Sequence, residues 1–208
     1  MNNRGLFPEI INKFNLYKGN AANPTDPLIG IGNSLTLPNL DEITETLSGA
    51  GILGEVEANN PGHFQNIDWE IPYVSVCEEE FTFNSSVREY VTIRSTQQST
   101  VKATGGMEYS GIKIIVGGKV KGYELGTLEA GKRQESKIKF SVSYLKVELQ
   151  YKNGDIINAF ELDKYNEVLG VLFSPIMFGL WIAPHKADRK STRLNSSHIA
   201  TSRMPSSA

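Results

Sequence analysis

Cysteine, clustered histidine and excess charge are what this chain has least of, and each shortage removes a class of function. Cys77 is the one cysteine in 208 residues, which excludes an internal disulfide and any all-cysteine zinc site. A lone thiol of this kind reads as a small buried hydrophobe. The three histidines, His63, His185 and His198, are too far apart for metal-ligand spacing. A formal charge of −2 supplies no basic surface for a polyanion, which needs clustered Lys and Arg. The first five residues, Met1 to Gly5, lack the basic start and apolar run of a secretory signal, so a cytoplasmic location is expected. One uncharged run, Val168 to Ala183, is interrupted by Pro175 and falls short of the roughly 20 residues that span a bilayer.

What is present is strand-like alternation. Between Lys137 and Tyr151 one alternation persists with a single change of phase. Ile138, Phe140, Val142 and Tyr144 share one face, because successive side chains of a strand point to opposite faces. From Leu145 the apolar set moves to Leu145, Val147, Leu149 and Tyr151. One residue inserted as a β-bulge produces that switch and bends the strand. At roughly 3.3 Å per residue the run reaches about 50 Å, beyond the core of a domain this size. It is therefore expected to serve one surface inside the subunit and another shared with something outside.

The rest of the chain supports a mainly β domain. Residues 5–18 carry Leu6, Phe7, Ile10, Ile11, Phe14, Leu16 and Tyr17, a spacing that begins as a helical turn and ends as a strand. Ile29, Ile31, Leu35 and Leu37 alternate up to Pro38, and residues 41–48 fit helix or strand. Gly49, Gly51 and Gly54 interrupt the pattern, and Glu55 to His63 reads as a functional or mobile loop. Strands follow around Ile67, Trp69 and Ile71, at Val87 to Thr96, at Ile112 to Val116 and at Lys119 to Leu128 after Gly117-Gly118. A short helical piece is expected within Ser75–Asn84, and Asn153-Gly154 closes a hairpin. Seven or so strands with one or two short helices define a mainly β sandwich or barrel containing a long extended hairpin.

Chemistry is poorly represented. Asp68 and Glu70 share a strand face and Glu78-Glu79-Glu80 form an acidic run, but solvated carboxylates account for both as well as acid–base catalysis does. Neither Gly105-Gly106 nor Gly117-Gly118 lies in a strand–loop–helix unit that would cradle phosphate. No Ser or Cys occupies a nucleophile-elbow setting. The expectation is a non-enzyme with no cofactor and no metal. A long bent strand, a glycine-bounded loop and an apolar N-terminal arm suit a self-assembling subunit, because unpaired strand edges find partners and a closed ring of sheets satisfies them. The competing expectation is a monomeric β-sandwich binding module.

The same segments resemble the major tail tube protein of contractile-tailed bacteriophages. The similarity lies in Phe14-Asn15-Leu16-Tyr17, in residues 35–40 (LTLPNL) and in residues 49–56 (GAGILGEV). It continues through residues 111–118 (GIKIIVGG), 121–124 (KGYE), 143–147 (SYLKV) and 160–164 (FELDK). The resemblance covers residues 5–168 and implies a structural protein whose hexameric rings stack into a hollow tube, of a phage tail or of a similar phage-tail-like bacteriocin or contractile injection device. Sheets of six subunits would form a continuous β-barrel around a channel that passes DNA without sequence-specific binding. The implied partners are further copies of the chain, tail sheath and baseplate proteins, with no membrane; the implied location is the virion tail, assembled in the host bacterial cytoplasm. The implied interface comprises Ser48, Gly49, Gly51, Gly54, Glu55 and Asn59, in a loop reaching the neighbouring ring. It also includes Phe140, Val142, Tyr144, Leu145, Val147 and Leu149 of the long strand.

The pattern departs from that family after Val168. Three parts are therefore expected: a tail tube domain at 1–168, an apolar segment at 169–187 read as frame-shifted, and a tail at 188–208. Residues 188–208 look like a translated sequencing-library adapter, Ser-rich and with almost nothing to bury, and are expected to be disordered. Their net charge of +3 leaves residues 1–187 at −5 against −2 for the whole chain.

Overall fold

A computed structural model describes residues 5–20, 26–152 and 154–171. Nine strands form in chain order: β1 (Leu6–Lys18), β2 (Glu42–Ser48), β3 (Glu55–Phe64), β4 (Ile67–Pro72), β5 (Glu89–Val101), β6 (Met107–Glu124), β7 (Lys137–Gln150), β8 (Ile156–Asp163) and β9 (Val168–Val171). One 3-10 turn, Glu78–Thr82, is the described helical element. The main sheet runs β1-β5-β6-β7-β8-β9, with β4 also on β7; β2 and β3 form a separate two-stranded sheet. Every pairing is antiparallel, so the mainly β expectation is met.

The phase change in β7 is a bulge. Gly117 pairs with Tyr144 and Gly118 with Val142, which leaves Ser143 as the extra residue. The bulge brings the odd and even apolar sets onto one face: Ile138, Phe140 and Val142 before it, Leu145 after it, all in the same core. Tyr144, expected to face with Val142, instead lies opposite Gly117 on the other face. The bulge also forks the sheet. On the side of β7 away from β6, β4 pairs with residues 137–142 and β8 with residues 144–150. The carbonyl of Ser143 accepts from the Lys164 amide at 2.9 Å between those two strands.

Several local readings change for identifiable reasons. The helical spacing at the start of β1 comes from bulges: register shifts fall between Pro8 and Ile10 and between Ile11 and Lys13. Each inserts one residue and stretches the period from two to three, so an apolar face of Leu6, Ile11, Phe14 and Leu16 imitates a helix. Glu55 to His63, read as a loop, belongs to a strand, because β2 pairs with most of β3. Ile29–Pro38, read as alternating strand, contributes a single bridge from Ile31 to Tyr73. The two strands expected around Gly117-Gly118 are one, β6. Those glycines mark close approach: a Cβ at Gly117 would lie 2.7 Å from the Tyr90 ring, and one at Gly118 2.5 Å from the Ser141 carbonyl oxygen. The core of Leu16, Trp69, Ile71, Ile93, Ile138 and Phe140 is drawn from β1, β4, β5 and the first half of β7. Of the uncharged run, Val168–Val171 is a strand on β8; the expectations for residues 172–208 lie outside the described residues.

Candidate assembly surfaces

Among the described residues the sheet has a long open edge at β1. Its inner side pairs with β5 from Leu6 to Lys18. Its outer side is covered only at the end, where Leu28 donates to the Leu16 carbonyl at 2.7 Å and Tyr17 bridges Pro27. A groove of about 630 Å³ runs beside the exposed stretch, lined by Ile11 to Leu16 on one wall and Leu28 and Gly30 to Asn33 on the other. An unpaired row of backbone donors and acceptors beside a groove fits an added strand. Pro8, the two bulges and Lys13 interrupt the same edge, a pattern that discourages indiscriminate pairing.

β2 and β3 form the second surface. Directly opposed residues share a face, so Ile43, Glu45, Leu47, Val56, Ala58 and Asn60 lie on one side. Thr44, Thr46, Ser48, Glu55, Glu57 and Asn59 lie on the other. The first side is apolar yet open: Ile43, Leu47 and Val56 are 44 %, 45 % and 51 % exposed, and Leu53 in the connecting turn is fully exposed. A lone two-stranded hairpin is marginal in water, and this one displays apolar side chains that another surface could bury. Gly51 and Gly54 in the turn have φ of +96° and +104°, a conformation suited to glycine. The hairpin root is tied to the fork: Asp41 accepts from the Gln65 amide at 2.9 Å, and Lys164 Nζ donates to the Gln65 carbonyl at 2.5 Å.

The long strand behaves differently from the expectation. β7 is interior, paired on both sides from Lys137 to Gln150, so it offers a face to a neighbour rather than an edge. Phe140, Val142 and Leu145 are sealed in the subunit's own core, whereas Val147 is partly buried against it and Leu149 is half-buried. Behind the fork, Arg88 makes two bonds to Asp163, at 3.1 and 2.9 Å, and lies 4.7 Å from the Tyr165 ring centre. Burial opposes ionisation of Asp163, but bonds from Arg88, Asn166 and the Tyr165 amide outweigh it and hold the carboxyl at about 2. Burial pushes the Tyr144 hydroxyl up, helped by its bond to Glu161 at 3.1 Å. The same face carries the chain Lys113–Glu148–Lys146–Glu161. Its distal end presents Phe7, Ile10, Met107 and Tyr109, each at least half exposed.

The acidic candidates are structural. Asp68 pairs with Lys121 at 2.8 Å, and Glu70 lies 3.4 Å from Lys137 and 3.7 Å from Lys139, all on an exposed face. Glu79 accepts from the Ile29 amide at 2.6 Å. Glu80 is buried and accepts from Ser136 at 3.1 Å. No group of three or more His, Cys, Asp or Glu among the described residues could hold a metal ion. No described helix is long and apolar enough to cross a membrane.

Of the expected interface residues, Ser48, Glu55 and Asn59 sit on the polar face of the hairpin and Gly49, Gly51 and Gly54 in its turn. The apolar face was missed: the alternation Ile43-Thr44-Glu45-Thr46-Leu47 signals it, but no such pattern is evident in β3 until pairing aligns Val56 and Ala58 with it. The missed β1 edge is a topological property and has no local signal.

Among the described residues, this all-antiparallel fold presents an open edge and an uncovered apolar hairpin, two surfaces suited to association. The family model for phage tail tube protein FII matches residues 8–171, and the chain belongs to that family. That family is structural, which makes the chain a component of the virion tail, the class of protein that assembles with others into a tail tube. No curated protein matches the chain.

Proposed function

We propose that the chain is the ring-forming subunit of the hollow inner tube of a contractile phage tail, the conduit for DNA. The observation that carries this reading is the exposed edge of β1 beside its groove. Six copies join edge to edge, a strand of one subunit adding to β1 of the next, so the sheets close into a shared barrel with no free edge. The faces of β5 to β8 beyond the fork form the wall, and the hairpin of β2 and β3 reaches the next ring. Sheath proteins surround the tube and baseplate proteins end it. A net charge of −2 for the chain suits a channel that DNA slides through, because a basic wall would retain it.

Negative-stain electron microscopy of the purified protein over a range of concentrations tests the proposal. Six-fold rings and stacked tubes are expected. Monodisperse particles of single-subunit size at every concentration would instead support the competing reading, a monomeric binding module of the virion.

A further inference from the structure

Which surface receives the hairpin follows from charge and exposure together, given the tube reading above. Every residue from 19 to 87 is neutral or acidic. On the hairpin, Glu42, Glu45, Glu55 and Glu57 have no side-chain partner among the described residues, and Glu45 lies between Ile43 and Leu47 on the apolar face. The surface with opposite properties lies at the distal end of the main sheet. There the register aligns Phe7 with Thr100 and Met107, Ile10 with Gln98 and Tyr109, and Lys13 with Thr96, all on one face. Among the described residues the Lys13 ammonium has no partner, nor has that of Lys102 in the adjoining turn. Glu9, an acid on the same face, is already engaged by Gln98 at 2.9 Å and by Thr100.

We infer that the apolar face of the β2–β3 hairpin of one copy docks on this distal patch of a second copy in the adjacent ring. Leu47 and Val56 then cover Ile10 and Tyr109, and Glu45 meets Lys13. Among the described residues of one copy nothing covers either surface: Leu47, Val56, Ile10 and Tyr109 are all exposed. The hairpin is rooted at the fork, where Lys164 holds Gln65 and Ser143. Tyr109 lies eight residues along β6 from Gly117, roughly 26 Å at strand spacing. A contact between a surface rooted at the fork and one at the distal end joins two different patches, and such a heterologous contact extends a stack when its rotation does not close.

The test uses the full chain carrying Cys77→Ser, with Leu47→Cys in one preparation and Tyr109→Cys in another. After assembly, oxidation of the mixture is expected to produce a disulfide-linked dimer that neither preparation forms alone. Charge reversal checks it independently: Glu45→Lys should raise the concentration needed for tube growth about tenfold, and Lys13→Glu in the same chain should restore it. Circular dichroism confirms that each variant folds. Tubes that form without the mixed dimer, and that tolerate Glu45→Lys, overturn this docking and leave the tube reading standing. Parent protein that never forms rings or tubes overturns both.

Discussion

The two ends of β7 differ in how far their own chain covers them. Before Ser143, Ile138, Phe140 and Val142 are buried to 3 % exposure or less and pair with Ile71, Trp69 and Ile67 of β4. After it, Val147 and Leu149 are half-buried, and Lys146 and Glu148 on the opposite face are held by ion pairs. The first half belongs to the stability of one subunit. The second belongs to a sheet extension whose faces are not fully covered by its own chain. One inserted residue separates them, because a bulge lets one strand leave a core without turning its apolar face away from it.

Substitutions should divide along that line. The largest effect is expected from Phe140→Ala, which removes a ring packed 5.7 Å from Trp69 and 5.4 Å from Phe83 and should cost about 3–5 kcal/mol in denaturant unfolding of the subunit. Leu149→Ala, in the other half, should cost well under half as much. Equal losses would abolish the distinction between the halves.

Arg88→Ala comes next, at about 2–4 kcal/mol, because it strands the buried carboxylate of Asp163 behind the fork. Chemical denaturation at neutral pH measures it, and a loss below about 1 kcal/mol would mean that the fork is held by backbone pairing alone.

Acid should probe the same point more gently. The Asp163 carboxyl is depressed to about 2 in the folded protein, so its stabilisation is complete above its unfolded value near 4 and is lost as pH falls towards 2. About 1–2 kcal/mol is expected to disappear over that window, and Asp163→Asn, less stable at neutral pH, should show a flatter dependence there. Identical slopes for the two proteins would assign the acid sensitivity to other carboxylates.

The smallest effect on the subunit, and the sharpest on its association, is expected from Leu47→Ser. On an exposed hairpin face it should change stability by no more than about 0.5 kcal/mol. Sedimentation should nevertheless show tube growth impaired. A variant that assembles normally would remove the hairpin from the interface.

Much of this was legible beforehand where apolar residues follow a strict period. The alternation of β7, its phase change and its tight return into β8 could be read from residue order, because burial on one face leaves a period of two. The start of β1 was illegible for the opposite reason: two bulges gave a strand the spacing of a helix. β3 was illegible because Asn59, Asn60 and Pro61 carry little strand signal, and its partner β2 supplies the pairing. Gly117-Gly118 looked like a break because close packing by Tyr90 and by the Ser141 carbonyl cannot be seen from neighbours in the chain.

The sequence alone determined the all-β character, the bulge in the long strand and the absence of a cysteine framework, since these depend on local alternation and on counts. Tertiary structure alone decided which strand became the open edge, that β7 was enclosed between β6 and the β4–β8 fork, and that Ile43, Leu47 and Val56 share an uncovered face. Those outcomes depend on hydrogen bonds between residues far apart in the chain, and the period of one strand carries no information about which neighbour it will find.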